Sequence, residues 1–328
     1  MVYSIDIKKL YKIFSMMHLI RATEERIVAE YPKQEIRCPT HLSIGQEAVP
    51  SVLSLFLDKK DLCVSTHRAH AHYIAKGGSL NDFVAELYGK SFGCSKGKGG
   101  SMHLIDTKAG FMGSSAIVGN SIPVGLGLGY KFKNKKTKNI SIVFLGDGAT
   151  EEGVFYESLN FAAVKSIPTL FVCENNQYSV YSSLKVRQPD RRKIYKLAQS
   201  IGVKSSYCDG NNIDQIYKSF DNAIKYIKKF KKPYFLEFSN YRWREHCGPN
   251  YDDDLNYRNK KITNTMISKD PLIKMKNFLS KKINGGMLKI QRIEKNNYVS
   301  IDNAFTKARR SEKNIKSQAY KNEYYKQI

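Results

Sequence analysis

The chain has 328 residues and carries 54 lysines and arginines against 30 aspartates and glutamates, which gives a formal net charge of +24 at pH 7. A chain of this length can form one large α/β domain or two small ones, and it is long enough to bury a substantial core. It contains no apolar run of the roughly 20 residues that a membrane span requires, and its amino terminus lacks the apolar core of a signal peptide.

The excess of positive charge is strongest after Lys260, and the lysines are otherwise dispersed. No RNP, zinc-finger or helix-turn-helix pattern accompanies them, so we attribute the charge to solvated surfaces and expect no nucleic-acid partner. An acidic partner protein or an anionic substrate could still be attracted by it.

The cysteines are scattered and form no CxxC pair; they are Cys38, Cys63, Cys94, Cys173, Cys208 and Cys247. This spacing favours reduced thiols over disulfides or zinc ligands. With neither a membrane span nor a signal peptide expected, we expect a cytoplasmic protein.

Residues 5–30 predict an amphipathic helix that covers or docks onto the core, because Leu10, Phe14, Met17 and Ile20 recur at helical spacing. His41 then stands just before a Gly-Gln-Glu-Ala sequence at which a helix could begin. An isolated histidine is more often structural than catalytic, so these residues alone leave the role of His41 open.

A short predicted strand over residues 62–66 is followed by His67, Arg68, His70 and His72. The histidines could suggest a metal site, but no carboxylate lies nearby in sequence. Arginine is a natural phosphate partner, because its planar guanidinium donates to two oxygens at once. A diphosphate-binding segment is therefore the alternative.

Two segments are rich in glycine. Residues 93–103 lack the spacing of a P-loop and predict a flexible loop. Gly125, Gly127 and Gly129 predict a helix face of small residues that permits close packing. They do not follow a strand or have the GxGxxG spacing of a dinucleotide site.

The most informative stretch is residues 146–178. An apolar run over 139–145 precedes Gly146, Asp147 and Gly148, and a helical segment and a second apolar run lead to Asn175 and Asn176. This order predicts two parallel strands joined by a crossover helix. Ligands of open parallel sheets bind beyond the carboxyl ends of the strands. There the carboxylate oxygens of Asp147 and the amide oxygens of the two asparagines could hold Mg²⁺ together with substrate phosphates. A Rossmann-like turn with an incidental aspartate is the alternative.

Further along, we predict a polar loop over 181–195, a helix over 194–202, a strand over 203–208 and a helix near 212–231. Residues 233–239 predict an edge strand of the same sheet. The segment 241–249 follows and contains His246.

Asn175 and Asn176 follow Asp147 by 28 and 29 positions. This spacing resembles the thiamine diphosphate signature. The run GDGATEEGVFYESLNFAAVKSIPTLFVCENNQY is similar to the alpha subunit of the thiamine-dependent dehydrogenase component of 2-oxoacid dehydrogenase complexes, a family that acts on pyruvate, branched-chain 2-oxoacids or acetoin. The resemblance covers roughly residues 5–280.

The resemblance implies an α/β thiamine-diphosphate-binding fold, with a mostly parallel sheet flanked by helices and a helical C-terminal extension. We expect a dehydrogenase alpha domain over residues 1–285 and a basic helical tail over 286–328.

The resemblance also implies the cofactor ligands. Asp147, Asn176 and the carbonyl of Tyr178 would bind Mg²⁺, and the backbone N–H groups of Gly148 and Ala149 would bind the diphosphate of thiamine diphosphate.

Further cofactor contacts implied by the family come from Arg68, His67 and Val118. His67 stands where the family usually has tyrosine, a change that resembles the acetoin-dehydrogenase branch.

His41, His70 and His246 are the catalytic candidates, for charge stabilisation or proton transfer. His246 lies in a segment that resembles a mobile loop of the family. Cys247 occupies the place of a serine that is phosphorylated in some relatives, so regulation by phosphorylation at this position should be absent.

By resemblance, the chain is one half of an active site. The glutamate that activates the cofactor lies on a separate beta subunit, so we expect two alpha and two beta chains and transfer of the acyl group to a lipoyl-bearing acyltransferase. Two alternatives remain, which are a non-oxidative aldehyde or ketol transferase and a non-catalytic scaffold.

Overall fold

A parallel sheet of six strands forms the centre of the protein in a computed structural model, which describes residues 3–312 together with residues 317 and 321. A separate two-stranded hairpin consists of β5 and β6. The strands are β1 (Leu62–Ser65), β2 (Phe111–Ser114), β3 (Ser141–Gly146), β4 (Thr169–Asn175), β5 (Tyr178–Ser179), β6 (Ser182–Ser183), β7 (Lys204–Asp209) and β8 (Tyr234–Ser239).

The order of strands in the sheet is β2-β1-β3-β4-β8-β7, and every pair in it is parallel. β4 is buried at every position and β3 at all but its last, which suits parallel strands with both faces covered. The fold class predicted from the sequence is thus confirmed. The edge position predicted for residues 233–239 is wrong, because β7 pairs outside β8.

Helices cover both faces of the sheet. Among the described residues they are α1 (Ile7–Glu30), α2 (Ala48–Leu53), α3 (His70–Ala75), α4 (Leu80–Leu87), α5 (Ser121–Asn134), α6 (Gly153–Val164), α7 (Leu184–Arg187), α8 (Ile194–Ser200), α9 (Ile213–Phe230), α10 (Lys260–Ser268), α11 (Pro271–Lys282) and α12 (Gly286–Arg310). In this part of the chain none is long and apolar enough to cross a membrane.

The predicted N-terminal helix is present as α1. The Asp6 side chain caps it by accepting hydrogen bonds from backbone N–H groups of its first turn. Leu10, Phe14, Met17 and Ile20 are all fully buried. The hydrophobic effect therefore fixes this helix along the stripe that its spacing predicted.

The last described helix, α12, packs against α1, α4 and α11. It buries Ile290, Ile301 and Phe305. The predicted helical tail over 286–328 falls partly outside the described residues, and the division at residue 285 stays a prediction.

Helix α5 lies directly on the sheet because two of its glycines leave room for it. A Cβ on Gly125 would lie 2.3 Å from Cγ2 of Val143, and one on Gly129 would lie 2.3 Å from Oγ1 of Thr169. Gly127 has no atom within 4 Å of such a Cβ. The close approach thus involves Gly125 and Gly129, and including Gly127 in one packing face was wrong, since residues two apart point in different directions on a helix.

Candidate active site

A pocket opens where β1, β3 and β4 end. Its walls include Thr66, which follows β1, and Leu145 and Glu174, which lie in the last two residues of β3 and β4. The predicted site residues that line it are His67, Arg68, Val118, Asp147, Gly148, Ala149, Asn176, Tyr178 and His246. The sheet brings these residues together because its parallel strands all present their carboxyl ends at one edge.

Asp147 begins a short 3₁₀ turn, Asp147–Glu151, directly after β3. Helix α6 starts only at Gly153, later than the helix start that the sequence suggested after Gly148. The Asp147 carboxylate is 2% exposed, and burial raises its pKa despite an ion pair with Arg187. Arg187 also pairs with Glu151 and so neutralises two acids at the pocket wall.

Asn176 follows β4 and is held at both ends of its amide. Its Nδ2 donates to Oε1 of Gln46 over 3.4 Å, and its Oδ1 accepts from the backbone N–H of Tyr178 over 3.1 Å. An amide oxygen has a second lone pair that this hydrogen bond leaves unused. The oxygens of Asp147 and Asn176 form the hard donor set that Mg²⁺ prefers.

Arg68 is a buried cation that lines the same pocket as the predicted metal ligands. It is 7% exposed, and its guanidinium donates to the carbonyl oxygens of Leu42 at 2.5 Å and His246 at 3.1 Å. Burial, followed by the nearby charge of Arg242, lowers its pKa to about 9. No carboxylate forms an ion pair with Arg68 in the described ranges, so the pocket holds a positive charge suited to an anion.

Three histidines cluster at one wall of the pocket. The ring centres of His41 and His67 lie 4.7 Å apart, those of His41 and His246 lie 5.0 Å apart, and those of His67 and His246 lie 5.3 Å apart. Burial, followed by the charge of Arg68, lowers their pKa values to about 2 for His41, 4 for His67 and 3 for His246. His67 and His246 line the pocket, whereas His41 does not.

His70 is placed differently from the other catalytic candidates. It is fully buried outside the pocket lining, with Nδ1 3.1 Å from Oε1 of Glu24 and Nε2 2.7 Å from Oγ of Ser101. The same Glu24 carboxylate accepts from the backbone N–H of Ser43. This arrangement favours a positioning role for His70, because Glu24 joins the His70 ring to α1 and to the segment that follows His41.

The pocket is also lined by His72 and Glu174, which were not among the predicted site residues. Nε2 of His72 lies 2.7 Å from Oε2 of Glu174, and its Nδ1 lies 2.7 Å from Oγ of Ser65. The His72 ring also stacks on Phe144 at 3.7 Å. The adjacency of Glu174 to the Asn-Asn motif was the signal that could have identified it. Arg187 carried no comparable signal.

The segment that carries His246 is fixed by a buried ionic cluster. Asp252 pairs with Arg242 and Arg258, and Arg258 donates to the carbonyl oxygens of Arg242 and Trp243. Burial would raise the pKa of Asp252, but its hydrogen bond from Tyr257 and the two arginines outweigh that effect and lower it. The cluster therefore holds the backbone on both sides of the histidine.

The glycine-rich loop over residues 93–103 is organised by one carboxylate. Glu86, at 1% exposure, accepts from the backbone N–H groups of Ser95, Gly97, Gly99 and Gly100 at 2.7–3.1 Å. Its charge therefore compensates the loss of regular backbone hydrogen bonds in this loop.

Comparison with known proteins identifies the family. The Dehydrogenase E1 component family matches residues 15–316, which extends past residue 280, where the sequence resemblance was expected to end. A pyruvate dehydrogenase E1 component subunit alpha of Rickettsia bellii is 38% identical over 268 residues, which are 82% of this chain and 81% of the relative.

Two further relatives cover more of the chain. The subunit alpha of acetoin:2,6-dichlorophenolindophenol oxidoreductase from Bacillus subtilis is 34% identical over 92% of this chain and 89% of its own length. A mitochondrial pyruvate dehydrogenase E1 component subunit alpha of Solanum tuberosum is 32% identical over 97% of this chain and 80% of its own. The chain therefore belongs to the dehydrogenase E1 component family.

Proposed function

We propose that this chain is the alpha subunit of a two-chain, thiamine-diphosphate-dependent dehydrogenase. It would oxidatively decarboxylate a 2-oxoacid such as pyruvate, or cleave acetoin, and pass the acyl group to a lipoyl carrier. The observation that carries the proposal is the buried Arg68 guanidinium, which lines the pocket without a carboxylate partner in the described ranges. A diphosphate would supply the missing negative charge.

The donor set also fits a magnesium diphosphate. Asp147, Asn176 and the carbonyl of Tyr178 would hold Mg²⁺, while Arg68 and the N–H groups of Gly148 and Ala149 would bind the phosphate oxygens. When bound, thiamine diphosphate supplies the carbon nucleophile and electron sink that 2-oxoacid decarboxylation needs.

The histidines would act on the substrate by hydrogen bonding. Because their pKa values are lowered, His67 and His246 are neutral near neutral pH and can each donate or accept one proton at a ring nitrogen. The Asp252 cluster would keep His246 in place, and Glu24 would position His70.

Exposed apolar residues at and close in sequence to Val118, which lines the pocket, support a partner subunit. Ile117 is 69% exposed, Val118 46% and Val124 50%. Apolar side chains grouped next to a functional site mark a surface that another protein covers. We propose that a beta subunit covers this surface and contributes the glutamate that activates the cofactor, and that a lipoyl-bearing acyltransferase accepts the product. A cytoplasmic location is part of the same proposal.

The test is co-purification of the chain with a candidate beta subunit, followed by calorimetric titration with thiamine diphosphate with and without Mg²⁺. Dye reduction is then measured with pyruvate, branched-chain 2-oxoacids and acetoin. Arg68→Gln should abolish cofactor binding. The matched control is Arg37→Gln, which changes an exposed arginine and should leave binding intact.

The outcomes separate the alternatives. Absence of cofactor binding by the two-chain complex would refute the proposal and favour a non-catalytic scaffold. Cofactor binding without lipoamide reduction would favour a non-oxidative aldehyde or ketol transferase. Activity that requires both chains, Mg²⁺ and thiamine diphosphate is the expected result, and the best substrate would distinguish pyruvate from acetoin.

A further inference from the structure

Three histidines from distant parts of the chain meet beside the pocket. His41 lies in the segment before α2, His67 follows β1, and His246 lies beyond β8. Each offers a ring nitrogen, and these ligand atoms all lie within 4.8 Å of one another. The three nitrogens are thus close enough to approach a single metal ion after small side-chain movements.

We propose that His41, His67 and His246 form a binding site for a borderline divalent transition ion, represented by Zn²⁺. This site is distinct from the proposed magnesium site at Asp147 and Asn176. Imidazole nitrogen suits zinc, whereas magnesium prefers oxygen ligands. Three protein ligands would leave one tetrahedral position open to water.

The hydrogen bonding of these rings supports the proposal. His41 is 6% exposed, and its buried Nδ1 has no hydrogen-bond partner. A buried polar nitrogen without a partner is unfavourable, and a metal ion would satisfy it. In contrast, His70 and His72 each have both ring nitrogens engaged by protein groups, so neither is free to bind an ion.

The charges around the cluster decide which kind of metal it could bind. Only the neutral imidazole is a ligand. The charges that face the cluster, Arg68 and Arg242, repel a cation. Affinity must therefore come from coordination, which favours Zn²⁺ over Mg²⁺ or Ca²⁺.

A zinc ion at this place would border the pocket, because His67 and His246 also line it. We expect Zn²⁺ to inhibit the activity reversibly, and a chelator to restore it. The proposal nevertheless does not depend on the proposed function, since metal binding can be measured on the chain alone.

The experiment uses the full-length chain after removal of metals. Zn²⁺ is titrated in competition with a chromogenic chelator, and Co²⁺ is added separately because its visible spectrum reports coordination geometry. We expect one tight Zn²⁺ per chain, a tetrahedral Co²⁺ spectrum, and no displacement by excess Mg²⁺. His67→Gln and His246→Gln should each weaken zinc binding by about tenfold or more. Loss of a group that only hydrogen-bonds to a metal ligand already has an effect of this size.

Two control variants define the site. His103→Gln changes an exposed histidine outside the cluster, and Cys247→Ser removes the exposed thiol next to His246. Both should bind zinc like the unaltered chain. His67 is only partly buried, so its replacement should leave the fold intact, which the circular dichroism spectrum checks. Equal zinc affinity in the unaltered chain and His67→Gln, an octahedral Co²⁺ spectrum, or loss of binding in Cys247→Ser would each overturn the proposal.

Discussion

Replacing Gly125 by alanine should push α5 away from the sheet. The added Cβ would lie 2.3 Å from Cγ2 of Val143 and 2.7 Å from Cγ2 of Val64. Both valines are buried, at 0% and 2% exposure, and β-branched side chains have little rotamer freedom with which to move aside. The helix backbone must therefore shift. This shift also disrupts the hydrogen bond of 2.6 Å that the Ser141 hydroxyl donates to the Gly125 carbonyl.

Overpacking of a core typically costs about 1–3 kcal/mol. Alanine also gains about 1 kcal/mol over glycine in a helix interior. Gly127→Ala separates the two effects, because Gly127 lies in the same helix with no atom within 4 Å of its added Cβ. Since both variants share the gain in helix propensity, the difference between them isolates the packing term.

The assay is urea unfolding of the purified chain, followed by circular dichroism. Gly125→Ala should have a free energy of unfolding about 1–3 kcal/mol below that of Gly127→Ala, and Gly127→Ala should match or exceed the unaltered chain. Equal unfolding midpoints for the two variants would refute the close contact between α5 and the sheet.

Three further predictions concern single side chains. Glu86→Gln should lower the free energy of unfolding by about 1.5–3 kcal/mol and speed amide exchange in residues 95–100, because an amide cannot accept from four N–H groups as a carboxylate does; unchanged exchange would argue against it. Arg187→Gln should tighten Mg²⁺ binding measured by calorimetry, since it removes the cation that pairs with Asp147, and equal or weaker binding would contradict this. The free energy of unfolding should fall as the pH drops from about 6.5 towards 4. In this range the unfolded chain binds a proton at His67 that the folded chain does not bind, because folding lowers the pKa of His67 to about 4. Urea titrations at each pH should show a shallower fall for His67→Gln.

The sequence predicted the centre of the fold because its signals there are local. The apolar runs that became β3 and β4, and the turn at Asp147, lie within one continuous stretch. Strand order is not local, so the edge position assigned to residues 233–239 was wrong once β7 paired outside β8. The glycine pattern of α5 could have been interpreted better, since only Gly125 and Gly129 share a helix face.

In the site, too, local features could be predicted from the sequence and contacts between remote segments could not. Residues at strand ends, such as Arg68 and Asn176, could be predicted to meet because parallel strands end together. The partner of Asp147 could not, because Arg187 lies 40 positions away, at the end of the short helix α7 within a segment that was predicted as a polar loop. The histidine run after β1 was considered for metal binding as a local motif, whereas the structure joins His67 to two histidines from remote segments.

The distribution of buried charge argues that the pocket is built for a ligand that carries both signs. Arg68 donates hydrogen bonds to carbonyl oxygens and forms no ion pair among the described residues, and Asp147 pairs with Arg187 at the end of α7. If these groups served only the fold, pairing Arg68 with a carboxylate of the chain would be the lower-energy solution, because an unpaired buried charge is costly. A magnesium diphosphate presents negative oxygens to Arg68 and a cation to Asp147 at once. One ligand would therefore compensate both charges, which is the physical reason that supports the proposed cofactor over a purely structural role.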